Sequence, residues 1–336
     1  MRKELEEIVS EVQREVNFSG TILVKKENDI LMDKSFGYAN CSDKLENNSE
    51  TRFGIASGCK LFTAIAICQL IQNGKLSFED RIKDVLDYEF AHFDDSVTVH
   101  HLLTHTSGIP DYFDEDEMDD FEELWVKHPM YALRELKDFL PLFQQEKMKC
   151  TPGEKFHYNN AGFIVLGLIL QQVSNMKFQD YIEEFVFKKA GMNWSGYFAF
   201  DLLPSNVAQG YIDNKDGTWR TNIYSLPVIG GSDGGAYVTA GDMARLWEAL
   251  VNEELLDKKY TELLLKKHVS VNEDSYYGYG VWIREGSLPK YHVMGYDPGV
   301  SFHSGYYQES SITMVVCSNK SDGAFEIMRA IEEEIK

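Results

Sequence analysis

Ser57-Gly58-Cys59-Lys60 sets a hydroxyl and an amine three residues apart. On a helix that spacing places both side chains on one face, about one turn apart. A serine hydroxyl is a weak nucleophile until a neighbouring base takes its proton. A lysine can be that base when burial lowers its pKa from about 10.4. The first turn of a helix also offers free N–H groups at a positive dipole end, so the N–H of Ser57 is a natural half of an oxyanion hole. Farther along the chain, Tyr158-Asn159-Asn160 follows Thr151-Pro152-Gly153-Glu154. A tyrosine hydroxyl near the lysine can relay protons between serine and leaving group. An asparagine amide can hold a substrate carbonyl and fix the lysine at once. The chemistry this describes is acyl transfer.

Both patterns recur, so neither decides alone. Ser174-Asn175-Met176-Lys177 repeats the first at a helix end, and Tyr38-Ala39-Asn40 repeats the second in a hairpin; both copies read as structural. Context separates Ser57. A strand-like approach, TRFGIA, precedes it, and Ile55 to Asn73 reads as a helix apolar on all sides, hence buried. Gly74 supplies its stop.

The elements that must position these groups follow from the rest of the chain. MRKELEEIVSEVQREV is an amphipathic helix, and GTILVKKENDILMDKSFGYAN is a hairpin turning at Glu27-Asn28-Asp29. From Leu76 to Met192 the pattern is mainly helical, broken by LLTHTSGIP and CTPGEKFHYNN. A helix capped by Thr239 follows the glycine-rich GGSDGG turn, and YGYGVWI, PGVSFHSGYY and SSITMVVCSN read as strands before a last helix from Phe325 to Lys336. The expected fold is α/β (α+β): an antiparallel sheet built from both ends of the chain and flanked by the terminal helices. Residues 1–75 and 195–336 form the sheet domain and residues 76–194 an inserted all-helical one, with the site in the crevice between them.

HLLTHTSGIPDY, TPGEKFHYNNAGFIVLGLIL, GGSDGGAYVTAGDMARLWEALV and YGYGVWI, in that order and joined to the two motifs, resemble the serine β-lactamase and penicillin-binding-protein superfamily, above all its class C-like branch. The resemblance spans roughly residues 18 to 320. It implies a β-lactamase/transpeptidase-like fold and a serine hydrolase without a cofactor. Ser57 would be acylated, Lys60 would be its partner and Tyr158 the general base, with Asn160 contacting substrate and lysine. The backbone at Gly295 and Tyr296 would contact the substrate, the N–H of Tyr296 being the second oxyanion donor. The third family element departs from the pattern. Where the family carries a Lys or His two residues before the glycine, this chain has Val293, with His292 displaced by one. On a strand that displacement turns the side chain to the other face, so His292 becomes a substrate contact only if the strand bulges. Without the cation, recognition of a substrate carboxylate weakens, and weight shifts toward a neutral ester or amide.

Composition sets outer bounds. The 336 residues are 43% hydrophobic and 13% aromatic, enough for a large core. A formal charge of −21 disfavours nucleic acid and anionic membranes as partners, leaving a small-molecule or peptide substrate. The five cysteines lack C-x-x-C spacing and, with no signal-peptide pattern at the start, fit a reducing, cytoplasmic setting. No run reaches the ~18 apolar residues of a membrane span. His100, His101 and His105 form no recognised zinc spacing, and the acidic run Asp111 to Glu123 lacks the pattern of a calcium loop; it reads as solvated surface or a flap beside the site. A β-lactam, a D-amino-acid peptide and an ester all remain open as substrates. So do a carboxylesterase or D-aminopeptidase of the same fold, and a non-catalytic binding module. Oligomeric state is not legible in the sequence.

Overall fold

The computed structural model describes residues 2–336. Helix α1 (Arg2–Glu15) leads into strands β1 (Gly20–Lys26) and β2 (Asp29–Phe36). A 3₁₀ turn, Ala56–Cys59, then runs into α2 (Lys60–Gln72). After a long helical stretch containing α3 (Asn160–Ser174) come α4 (Ala240–Val251), strands β3 (Val269–Ser270), β4 (Ser275–Tyr277), β5 (Trp282–Arg284), β6 (Lys290–Asp297), β7 (Val300–Tyr307) and β8 (Ile312–Ser318), and the closing helix α5 (Ala324–Ile335). Eight strands form one sheet in the order β2-β1-β8-β7-β6-β5-β4-β3. The joined strands are antiparallel throughout. The two ends of the chain therefore meet at the β1–β8 ladder, where Gly20 pairs with Ser318.

Two apolar layers cover the sheet. The alternation of β1 sends Ile22 and Val24 toward α1 and α5, into a core with Leu5, Val9, Ile327 and Ile331. Leu23 faces the other way, into the larger core that holds α2 and α3. Every residue of α2 from Lys60 to Ile71 is buried, as is α3 from Asn160 to Leu170. Such helices have no solvent face to satisfy, which is why their sequences show no polar stripe. Each fully buried Leu, Ile or Phe contributes about 1.5–3 kcal/mol by leaving water, enough to draw a lysine and an asparagine into the core at the helix starts. The β-lactamase/transpeptidase-like architecture expected from the sequence is the one observed. Among the described residues no single helix is long and apolar enough to cross a membrane.

Candidate active site

Strand pairing fixes the approach to Ser57. Phe53–Gly54 pairs with Tyr237–Val238, and Ile55 N–H donates to the Ala236 carbonyl at 3.0 Å. Ala56 then takes a left-handed φ of 44°, strained for a residue with a side chain, and the chain turns into the 3₁₀ segment. Side chains at i and i+3 eclipse in such a turn. Lys60, the first residue of α2, thus lies beneath Ser57, and its Nζ donates to Ser57 Oγ at 2.8 Å.

The lysine is buried and fully engaged. Its other two donors go to Asn160 Oδ1 at 2.8 Å and to the Asp233 carbonyl at 2.7 Å. Three acceptors match the three N–H bonds of an ammonium. The GGSDGG segment is therefore more than a tight turn, since Asp233 supplies a backbone ligand to the lysine and Thr63 Oγ1 anchors the loop by donating to the Ser232 carbonyl at 2.6 Å. Asn160 is placed by the start of α3, where Asn159 Oδ1 caps by accepting from Gly162 N–H at 2.6 Å. Asp111 completes the cap, accepting from the N–H groups of Asn160 at 2.5 Å and Ala161 at 2.9 Å. Burial pushes the Asp111 carboxyl up to about 7 despite those donors.

Tyr158 stands over the lysine, its ring centroid 4.9 Å from Lys60 Nζ. Its ring lies between His105, at 4.3 Å, and Trp282, at 6.2 Å and 15° from parallel. Burial is the main cause holding its hydroxyl well above the ordinary tyrosine value, with nearby Glu115 adding to the shift and a hydrogen bond with Ser57 opposing it. His105 is fixed by accepting from Asn159 N–H at 3.0 Å and by a 3.1 Å bond between its Nε2 and Tyr277 Oη. Its neighbours His100 and His101 bond to Tyr279 and Thr98.

The third strand decides who enters the cleft. The β6–β7 ladder runs from Lys290 to Asp297 without a register shift, so alternation is preserved and His292 falls on the face away from Val293 and Gly295. Val293 is buried in the core. His292, expected to contact substrate only if the strand bulged, does not line the cleft. The ring stacks at 6.4 Å on Trp282, it is absent from the cleft lining, and burial holds its pKa well below the ordinary histidine value. Gly295 meets the Ser57 turn directly, because a Cβ there would stand 2.1 Å from the Ile55 carbonyl oxygen and 2.8 Å from Ser57 N. Ser57, Tyr158, Asn160, Gly295 and Tyr296 all line one cleft of about 720 Å³.

Known proteins match this arrangement. The Beta-lactamase family matches residues 5–333. The chain belongs to that family. A penicillin binding protein from Bacillus halodurans has a structure 59% identical in sequence, with a TM-score of 0.93 over 97% of this chain and 99% of that one. The octameric penicillin-binding protein homologue from Pyrococcus abyssi is 28% identical, with a TM-score of 0.87 over 99% of this chain and 77% of that one. Penicillin-binding protein 4* of Bacillus subtilis is 29% identical over 96% of this chain and 72% of its own length. As a member of the Beta-lactamase family the protein is a serine hydrolase.

Sequence reasoning missed three residues that line the cleft, Tyr112, Asp233 and Asp297, and one that holds Asn160 in place, Asp111. Asp111 and Tyr112 lie in the HTSGIPDY segment, which was legible only as a family loop; Asp233 was hidden among glycines, and Asp297 in the altered third element. The acidic run expected to be surface or flap sends Glu115, Asp119 and Asp120 to the cleft wall.

Proposed function

We propose that the protein cleaves an ester or amide through an acyl-Ser57 intermediate. Ser57 Oγ attacks the carbonyl carbon and its proton passes to the Lys60–Tyr158 pair. As the tetrahedral intermediate collapses, the bond to the leaving group breaks and that group takes the proton from the pair. Water then attacks the acyl ester and gives a proton to the pair; as the second tetrahedral intermediate collapses, the pair hands that proton to the departing Ser57 Oγ and the acid is freed. The N–H groups of Ser57 and Tyr296 would hold the oxyanion. The observation that carries this reading is Lys60 Nζ held at once by Ser57 Oγ, Asn160 Oδ1 and the Asp233 carbonyl. A side chain buried at this cost in desolvation is held beside one hydroxyl for a reason other than packing.

The test is intact mass after reaction with a fluorophosphonate and, separately, with a penicillin, beside Ser57→Ala. A single phosphonate adduct on the wild type alone is expected. No adduct on the folded wild type would overturn the reading in favour of a non-catalytic module. A penicillin adduct in addition would assign β-lactam recognition with slow deacylation; its absence, with no drug consumed, points to esters or other amides.

A further inference from the structure

The charge of the cleft is one-sided. Its lining includes Glu115, Asp119, Asp120, Asp233, Asp297 and Asp322, and no lysine, arginine or histidine. The cation nearest the reaction, Lys60, already directs its three N–H bonds to Ser57, Asn160 and Asp233. Four of the acids, Glu115, Asp119, Asp120 and Asp322, are exposed. Asp233 is buried, with its carboxylate accepting from Tyr112 Oη. Asp297 is different. It is partly buried, it lines the same cleft as Ser57, and no donor or cation among the described residues is within bonding distance of its carboxylate.

Its position follows from the regular β6 ladder. Val293, Gly295 and Asp297 share one face, and Gly295 touches the Ser57 turn. Two residues along a strand span about 6.6 Å, so Asp297 stands one such step beyond the glycine that touches the Ser57 turn, and both line the same cleft. Where the family's cation is lacking, this face instead carries an acid, which burial beside Asp233 keeps largely protonated near neutral pH until a cation pairs with it. An unpaired carboxylate that must lose much of its hydration favours a counter-ion strongly. Apolar walls from Phe113, Phe121, Phe198, Phe200 and Trp282 lower the local dielectric and add ring faces that attract cations.

We propose that the substrate is an ester or amide bearing an ammonium group near its scissile carbonyl, and that Asp297 is the residue that selects it. The proposal rests on the hydrolase reading above. It makes Asp297 a specificity determinant. Substrates with a carboxylate at the same place are disfavoured by the same field.

The experiment compares three p-nitrophenyl esters: γ-(trimethylammonio)butyrate, its uncharged tert-butyl isostere, and the anionic glutarate monoester. The trimethylammonio charge does not titrate, and the isostere has nearly the same shape. In the wild type, kcat/KM for the cationic ester should exceed that for the isostere about tenfold or more, with the anionic ester slowest. Asp297→Asn should bring the cationic-to-neutral ratio toward unity, while Asp297→Glu should keep a preference. Fluorophosphonate labelling of Ser57 in each variant reports a folded nucleophile. A ratio near one in the wild type, or an unchanged ratio in Asp297→Asn, overturns the proposal and leaves the hydrolase standing. A wild type that labels but spares the cationic ester does the same. Neither labelling nor hydrolysis of any ester would overturn both.

Discussion

Gly295 and Ser57 approach so closely that a Cβ on the first would stand 2.8 Å from the backbone nitrogen of the second. The same atom would lie 2.1 Å from the Ile55 carbonyl oxygen, so strand and Ser57 turn are in backbone contact with no room for a methyl group. Gly295→Ala is therefore expected to push β6 away from the 3₁₀ turn. Removing an oxyanion donor costs about 10²–10³ in kcat, and a loss of that order is expected here together with a lower melting temperature. A variant with wild-type kcat would show that the strand does not set the site.

Lys60 and Tyr158 should be separable by rate. Lys60→Met removes the partner of Ser57 Oγ and should slow phosphonylation of Ser57 by about 10³-fold or more. Tyr158→Phe removes a proton carrier and should cost about 10²–10⁴-fold in kcat. Burial holds the Tyr158 hydroxyl well above the ordinary tyrosine value, so it stays protonated near neutral pH. If that hydroxyl must give up its proton to act as base, the wild-type kcat/KM should rise with pH toward the alkaline side. A flat profile from pH ~6 to ~9 would contradict this.

Asp297 should leave a mark on stability. Burial, followed by the neighbouring Asp233, raises its carboxyl to about 8 from 3.8; Lys60 opposes the rise and Glu115 adds to it. Tyr112 and Tyr237 also face it. A raised carboxyl binds its proton more tightly folded than unfolded, so this group favours the native state at low pH and loses that contribution as pH climbs from about 4 to about 8. The melting temperature of Asp297→Asn minus that of the wild type should therefore grow across that window and level off above it. A difference that is constant with pH would rule out the raised carboxyl.

Thiol reactivity follows burial. Cys59, Cys68 and Cys317 are buried and Cys41 and Cys150 only partly so. Burial pushes Cys59 up to about 12 and raises Cys68 and Cys317 as well. Since only thiolates alkylate readily, iodoacetamide at neutral pH should modify no more than Cys41 and Cys150 in the native protein. Labelling of Cys59 without unfolding would contradict the packing around α2.

Much of the fold was legible because its signals are local. The terminal amphipathic helix, the hairpin around Glu27, the Thr239 cap and the apolar runs of α2 and α3 each follow from residues within one element. Ser57 and Lys60 were readable because their spacing falls at the start of an apolar helix after a strand-like approach, a local context that Ser174 and Lys177 lack. The resemblance to the family then linked Tyr158 and Asn160 to that pair, which spacing alone could not do across 100 residues.

What only the tertiary structure decided is the environment. Asp233 reaches Lys60 from a separation of 173 residues and through its backbone, which has no side-chain signature. The absence of a bulge in β6 sent His292 to the wrong face and Asp297 to the cleft, because alternation depends on pairing with β7. The sequence by itself determined the Ser57–Lys60 turn, the buried helices and the net acidity. The fold decided which acids face the substrate, since the sign of a cleft is set by where side chains converge and not by how many the chain contains.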